Sequence, residues 1–208
     1  MSFKDKAPIC KLCEKKIILL PESCFFCAEP TINNTNICSS CVYKSSNIRK
    51  ILIFYEYCEP LKTILTDFKF QHGYDLANYL AHLIINKLPA DAKQTQCLIP
   101  VPLHRKKHGL RGYHQTLLLA KQLSKQLKIP VSTAYCKKTV HTASQSQLSR
   151  EQRHHNLTNA FSFSLPPYQK ITIIDDIMTT GATIQTIASG FQALGVEHID
   201  VWCLAKTL

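Results

Sequence analysis

One stretch, ITIIDDIMTTGATI from Ile171 to Ile184, constrains the fold of this chain more than any other. Its β-branched run Ile171–Ile174 reads as a strand, and TIQTIASGFQALG from Thr183 reads as a helix. Two adjacent carboxylates, Asp175 and Asp176, and a hydroxyl-rich turn stand between them. At the carboxyl end of a parallel strand, a turn entering a helix gathers backbone N–H groups and the positive end of the helix dipole. Thr179, Thr180, Gly181, Ala182 and Thr183 are therefore expected to form a phosphate cradle. Gly181 permits close backbone approach, and the threonine hydroxyls add donors. Carboxylates do not bind phosphate. Asp175 and Asp176 can instead accept hydrogen bonds from vicinal hydroxyls and stand near a Mg²⁺, as a ribose 5-phosphate would require. The plainer alternative is a strand-to-helix loop whose aspartates merely cap. The full hydrophobic-D-D-x-x-T-T-G-x-T string favours the binding site.

The flanking sequence supports an α/β fold. Strands are expected at Ile51–Tyr57, Cys97–Leu103, Pro130–Cys136 and from His198, with the prolines of CLIPVPL ending the second. Helices are expected over EPLKTILTDFKF, HGYDLANYLAHLIINKL and TLLLAKQLSKQLK, where apolar residues recur at helical spacing. Strand and helix alternate through the carboxyl-terminal half, which argues for a parallel sheet covered by helices. The polar segment from Lys137 to Phe161 reads as a long functional loop or short helix.

The amino-terminal part follows different rules. Six of the ten cysteines form three C-x-x-C pairs, Cys10/Cys13, Cys24/Cys27 and Cys38/Cys41, with ten residues between successive pairs. Two such pairs supply the four thiolates of a tetrahedral, structural Zn²⁺ site. Disulfides would need an oxidising compartment, and no secretory signal precedes the cysteines. A thioredoxin-like redox motif would use one pair beside a βαβ unit. Four ligands from six candidates leaves the choice open: pairs 24/27 and 38/41 would make a compact ribbon, with pair 10/13 either a remnant or a replacement for one of them. A metal staple suits a module too small to bury a core unaided. The remaining cysteines receive no chemistry, and Cys97 and Cys203 are expected in the core.

Among 208 residues the formal net charge is +11. Between Ala92 and Ile174 stand thirteen Lys or Arg and a single acid, Glu151, along with six histidines. Such a surface either solubilises or meets a polyanion, whether nucleic acid or a phosphorylated small molecule. The apolar runs are too short to span a bilayer, so no membrane insertion and a cytoplasmic location are expected.

The string around Asp175 and Asp176 resembles the motif that binds 5-phosphoribosyl 1-diphosphate (PRPP) in type I phosphoribosyltransferases. FKFQHG (68–73), IPVPLHRKKHGLRGYHQ (99–115), TASQSQLSREQRHHNLTNAF (142–161) and the cysteine module narrow the likeness to the ComF family, associated with natural competence and DNA uptake. These pieces span most of the chain in family order. The resemblance implies a zinc ribbon over 1–48 and a type I phosphoribosyltransferase-like domain over 49–208. It implies that Asp175 and Asp176 contact the ribose hydroxyls of Mg²⁺-bound PRPP and Thr179 to Thr183 its 5-phosphate. Arg105 and Lys106, in the loop 104–107, would face the diphosphate. Arg111, Gly112, Tyr113 and Gln115 match one family pattern, and Gln145, Leu148, Arg153, Asn156 and Phe161 match another. Lys138 stands where the family commonly has arginine, and His114 where it has asparagine.

Three functions fit these residues. In DNA handling, Arg105, Lys106, Lys107, Arg111, Lys137, Lys138, Arg150 and Arg153 would track the phosphates of single-stranded DNA. Tyr113, His114, His154 and His155 would stack on unpaired bases, whereas Phe161 is expected to pack in the core. In an enzyme, Asp175 or Asp176 would take a proton from a nucleophile attacking the ribose, with an acceptor the sequence does not identify. In an adaptor, the zinc ribbon would dock onto a DNA-uptake or helicase protein.

Overall fold

A computed structural model describes residues 9–31, 35–43, 46–70, 73–103, 113–139 and 160–208. Its centre is a four-stranded sheet of β1 (Lys50–Glu56), β2 (Cys97–Pro100), β5 (Lys170–Met178) and β6 (His198–Lys206), in the order β1-β6-β5-β2. Every neighbouring pair in it is parallel. A separate antiparallel pair is formed by β3 (Cys136–Lys138) and β4 (Phe161–Phe163). The helices are α1 (Lys11–Lys15), α2 (Ser39–Val42), α3 (Leu61–Phe70), α4 (Gly73–Ile85), α5 (Gln115–Leu127) and α6 (Ala182–Ala193). None among the described residues is long and apolar enough to cross a membrane.

Alternation along the strands divides the core in two, because successive side chains leave opposite faces. Leu98, Ile174, Trp202 and Leu204 face α3, α4 and α5, whose Leu65, Phe68, Leu80, Ile84, Leu119 and Leu123 complete that layer. Ile99, Ile171, Ile173, Val201 and Cys203 face α6 and the hairpin through Ile187, Phe191 and Phe161. A strand covered on both faces must be apolar on both, which is why ITII carries no alternation. Cys97 and Cys203 are buried as expected.

Two expected strands differ from those observed. Pairing with β6 continues past Ile174 through Asp175↔Cys203, Ile177↔Ala205 and Met178↔Lys206, so the aspartates belong to β5 and not to the turn. The expected strand Pro130–Cys136 is broken. Val131 makes one parallel bridge to Leu98, and Ser132 Oγ then accepts the Ala134 N–H at 3.2 Å, closing a local turn that ends the extension. The chain re-forms a strand only at Cys136.

This connectivity creates a switch point. From β2 the chain runs through α5 to Val131, outside β2, whereas from β5 it runs through α6 to β6 on the other side. The crevice between β2 and β5 therefore opens at their carboxyl ends, where open α/β sheets take ligands.

Residues 9–48 pack against this sheet. Leu20 N–H donates to Phe54 O at 3.0 Å, Glu56 N–H to Ile18 O at 3.0 Å and Ile51 N–H to Phe25 O. The outer edge of β1 is thus covered, which removes an open edge available for aggregation.

The hairpin is held to α6 at Gly190. The Phe163 ring lies edge-on to Phe191 at 5.5 Å and fills the space a Cβ at Gly190 would need. Gly190→Ala gains about 1 kcal/mol of helix propensity but forces the ring out, an overpacking cost of about 1–3 kcal/mol. The net result expected in urea denaturation is lower stability.

Candidate functional site

At the carboxyl end of β5 the partner strand β2 has already stopped, since Pro100↔Ile174 is their last register pair. The Asp176 N–H therefore lacks a strand partner on that side and donates to Asp175 Oδ1 at 2.9 Å. The Ile177 N–H donates to Asp176 Oδ1, also at 2.9 Å. Alternation sends Asp176 to the face of Ile174, where α3 lies, and Lys69 Nζ stands 3.1 Å from Asp176 Oδ2. That oxygen is buried and has no hydrogen bond of good geometry, so the ammonium holds it by charge. Asp175 is half-buried; desolvation, reinforced by the Asp176 charge, raises its carboxyl well above the ordinary 3.8.

A carboxyl with a raised folded pKa contributes stability that is fully present below its unfolded value and lost as pH rises through the folded value. At pH above the unfolded value this carboxyl is therefore a net cost to the fold. Asp175→Asn keeps an acceptor for the Asp176 N–H and removes the charge. It is expected to stabilise the free protein by about 0.5–2 kcal/mol at neutral pH, as is common where function opposes stability. The gain should shrink as pH approaches 3.8, measured by urea denaturation across pH.

The turn follows at Thr179 and Thr180, both exposed, and Gly181 at φ +73° starts α6. That backbone conformation favours glycine, which as the N-cap residue contributes no side-chain cap of its own. Thr180 Oγ1 accepts the Ala182 N–H at 3.4 Å. Thr183 is half-buried at the start of the first helical turn. The five expected cradle residues, 179–183, and the two aspartates thus adjoin at one strand–helix junction.

At the carboxyl end of β2, an open cleft of about 540 Å³ is lined by Pro100, Pro102, His114, Cys136, Lys137 and Lys138, among others. The aspartates do not line it. Lys138 Nζ lies 5.5 Å from the centroid of the buried Phe161 ring, and Lys137 is exposed. Arg105, Lys106, Lys107, Arg111, Arg150 and Arg153 lie outside the described residues, as do Gln145, Leu148, His154, His155 and Asn156. His114 Nε2 is 2.9 Å from Val101 O and 2.8 Å from Thr116 Oγ1, while the Tyr113 hydroxyl donates to Phe68 O. Both rings are therefore engaged with their own chain.

A second candidate site lies in the amino-terminal part. The sulfurs of Cys24, Cys27, Cys38 and Cys41 all fall within 4.8 Å of one another, a set that can hold a metal ion. Cys10 and Cys13 are not in that group. Burial opposes ionisation of Cys24, but N–H groups of Cys38, Phe26 and Cys27 outweigh it and bring the thiol down to about 7. Burial pushes Cys41 up to about 11. Four crowded thiols ionise together only around a cation, and an all-thiolate tetrahedral set suits Zn²⁺.

The residue not singled out from sequence is Lys69. FKFQHG contains it, but helical periodicity assigns functional meaning only to the buried face of Leu61, Ile64, Leu65 and Phe68.

A phosphoribosyl transferase domain model matches residues 115–207. The chain is 36% identical over 211 residues to "Competence protein F" of Haemophilus influenzae, covering 97% of this chain and 91% of that protein. It is 30% identical over 206 residues to "DNA utilization protein YhgH" of Escherichia coli K12, covering 96% and 91%. Identity to "Competence protein ComFC" of Bacillus subtilis is 25% over 202 residues, covering 89% of this chain and 78% of that one.

Proposed function

Since this chain belongs to the ComF family of competence proteins and carries a phosphoribosyltransferase-like domain, we propose that it handles incoming single-stranded DNA with a Mg²⁺-dependent PRPP or ribose 5-phosphate site. The carrying observation is the junction of β5 and α6. Asp175 and Asp176 stand in the strand, and the hydroxyl-bearing turn Thr179–Thr180 leads within one turn to the N-cap Gly181, which has no side chain of its own over the start of α6. This donor and acceptor set fits the ligand. Thr179–Thr183 would take the 5-phosphate on N–H and hydroxyl groups. Asp175 and Asp176 would orient the ribose hydroxyls. Mg²⁺, when bound, supplies neutralising charge for the diphosphate. Single-stranded DNA would lie along the cations of 104–111, 137–138 and 150–153, a reading supported by their charge and by the functions in the relatives' names. Zn²⁺ in the four-cysteine cluster would be structural.

One observation favours a transferase as a second reading. The raised carboxyl of Asp175 is better matched to accept a proton near neutral pH than an ordinary carboxylate. A third reading, docking to an uptake or helicase protein, draws on the exposed Leu12, Val42 and Tyr43 of the cysteine module. Calorimetric titration of the zinc-loaded chain with Mg²⁺-PRPP tests the ligand. Saturable binding, with ribose 5-phosphate competing, is expected; heat no larger than that of Mg²⁺ with inorganic diphosphate would remove the ribose from the proposal.

A further inference from the structure

Lys69 sits in the last turn of α3, one residue after the buried Phe68. The Phe68 carbonyl accepts the Tyr113 hydroxyl, which ties this end of the helix to the start of α5. From there Lys69 Nζ reaches Asp176 Oδ2 at 3.1 Å, with side chains 20% and 9% exposed. Asp176 Oδ1 is already taken by the Ile177 N–H, and Asp175 Oδ1 by the Asp176 N–H. The Asp176 oxygen that makes no hydrogen bond is thus the one Lys69 occupies.

We propose that Lys69 is an internal counter-ion: a positioning residue that competes with a divalent cation for Asp176 and, once displaced, pairs with the ligand's diphosphate. Two adjacent carboxylates in a partly desolvated site need positive charge nearby, and the ammonium provides it while no ligand is present. A bare divalent cation must displace that ammonium and strand it. A bare phosphate ester leaves the ion pair in place and gains nothing from it. A metal-bound diphosphate ester satisfies both charges, because it brings a cation for the carboxylates and an anion for the released ammonium. The site would therefore select metal-bound di- or polyphosphate esters over either component alone. The competition stands independently of the ribose-phosphate reading, and the identity of the ligand rests on that reading.

The test uses the full-length, zinc-loaded chain as wild type, Lys69→Met and Lys69→Arg. Mn²⁺ binding is followed by the paramagnetic resonance of the free ion, and Mg²⁺-PRPP binding by calorimetry. Lys69→Met is expected to bind Mn²⁺ at least about fivefold tighter and Mg²⁺-PRPP at least about fivefold weaker, the lower end of ordinary coupling between groups. Lys69→Arg should bind Mn²⁺ like wild type. A merely structural role would move both affinities of Lys69→Met in one direction. Mn²⁺ binding that is unchanged, weaker or undetectable in Lys69→Met overturns the proposal. Should that variant fail to fold, the ¹⁵Nζ resonance of wild-type Lys69 decides: it should move on adding Mg²⁺-PRPP, and an unmoved resonance at saturation overturns the proposal. Wild type that fails to bind PRPP, alongside the expected Mn²⁺ pattern, would sink the ribose-phosphate reading and leave the counter-ion standing.

Discussion

Cys41→Ser will strip the metal from the amino-terminal module and bring down its structure, whereas Cys10→Ser with Cys13→Ser will leave one zinc per chain in place. The difference follows from which sulfurs converge: Cys24, Cys27, Cys38 and Cys41 do, and Cys10 and Cys13 stand outside the group. Cys41 is buried, so a serine there removes a ligand from the interior of the site. Structural zinc sites in small modules contribute apparent binding energies of about 10–16 kcal/mol, far above what this short segment recovers from burial alone. The damage should spread to the sheet. Residues 18–20 and Phe25 bond to β1, and their release would uncover its edge. Metal content by atomic absorption, with aggregation followed by light scattering, reads both effects. Full zinc content in Cys41→Ser would show that the convergent set is not the ligand set.

The second large effect concerns the aspartates. Asp175→Asn with Asp176→Asn should leave the chain folded and reduce Mg²⁺-PRPP affinity by two orders of magnitude or more. Each hydrogen bond from a ribose hydroxyl to a charged carboxylate is worth about 1.5–3 kcal/mol, and the asparagines also remove the charge that attracts the cation. Singly, Asp176→Asn should be the more damaging to the fold, because it leaves the Lys69 ammonium without its partner at 3.1 Å. Asp175→Asn should stabilise the free protein, as its raised carboxyl indicates. Calorimetry and urea denaturation on the same samples separate ligand loss from unfolding.

How far these features can be read from sequence depends on how local their causes are. The β5–turn–α6 unit is legible because β-branched residues, a glycine and a helical period follow one another within Ile171–Leu194. Local sequence places the limit of β5 at Ile174, whereas the pairing of the distant His198–Lys206 strand extends it to Met178. The same applies to Pro130–Cys136, whose β-like composition is interrupted by a Ser132 turn and divided between two sheets. The cysteine spacing announced a four-thiolate site but left the choice among six open, because convergence is a property of the folded loops. The role of Lys69 is not legible for a related reason: its partner Asp176 lies 107 positions away, on another element. Ion pairs of that kind leave no periodic trace.

Fluorescence anisotropy of labelled single-stranded DNA, at two salt concentrations and with or without Mg²⁺-PRPP, measures whether this chain handles DNA under ligand control. Binding is expected to weaken steeply with salt, by about 0.7 log units per log unit of salt for each phosphate contact, and its affinity to shift when Mg²⁺-PRPP is added. Binding that ignores Mg²⁺-PRPP would separate the ribose-phosphate site from DNA handling. No binding at either salt concentration would contradict the DNA-handling function for this chain and leave the transferase or docking reading in its place.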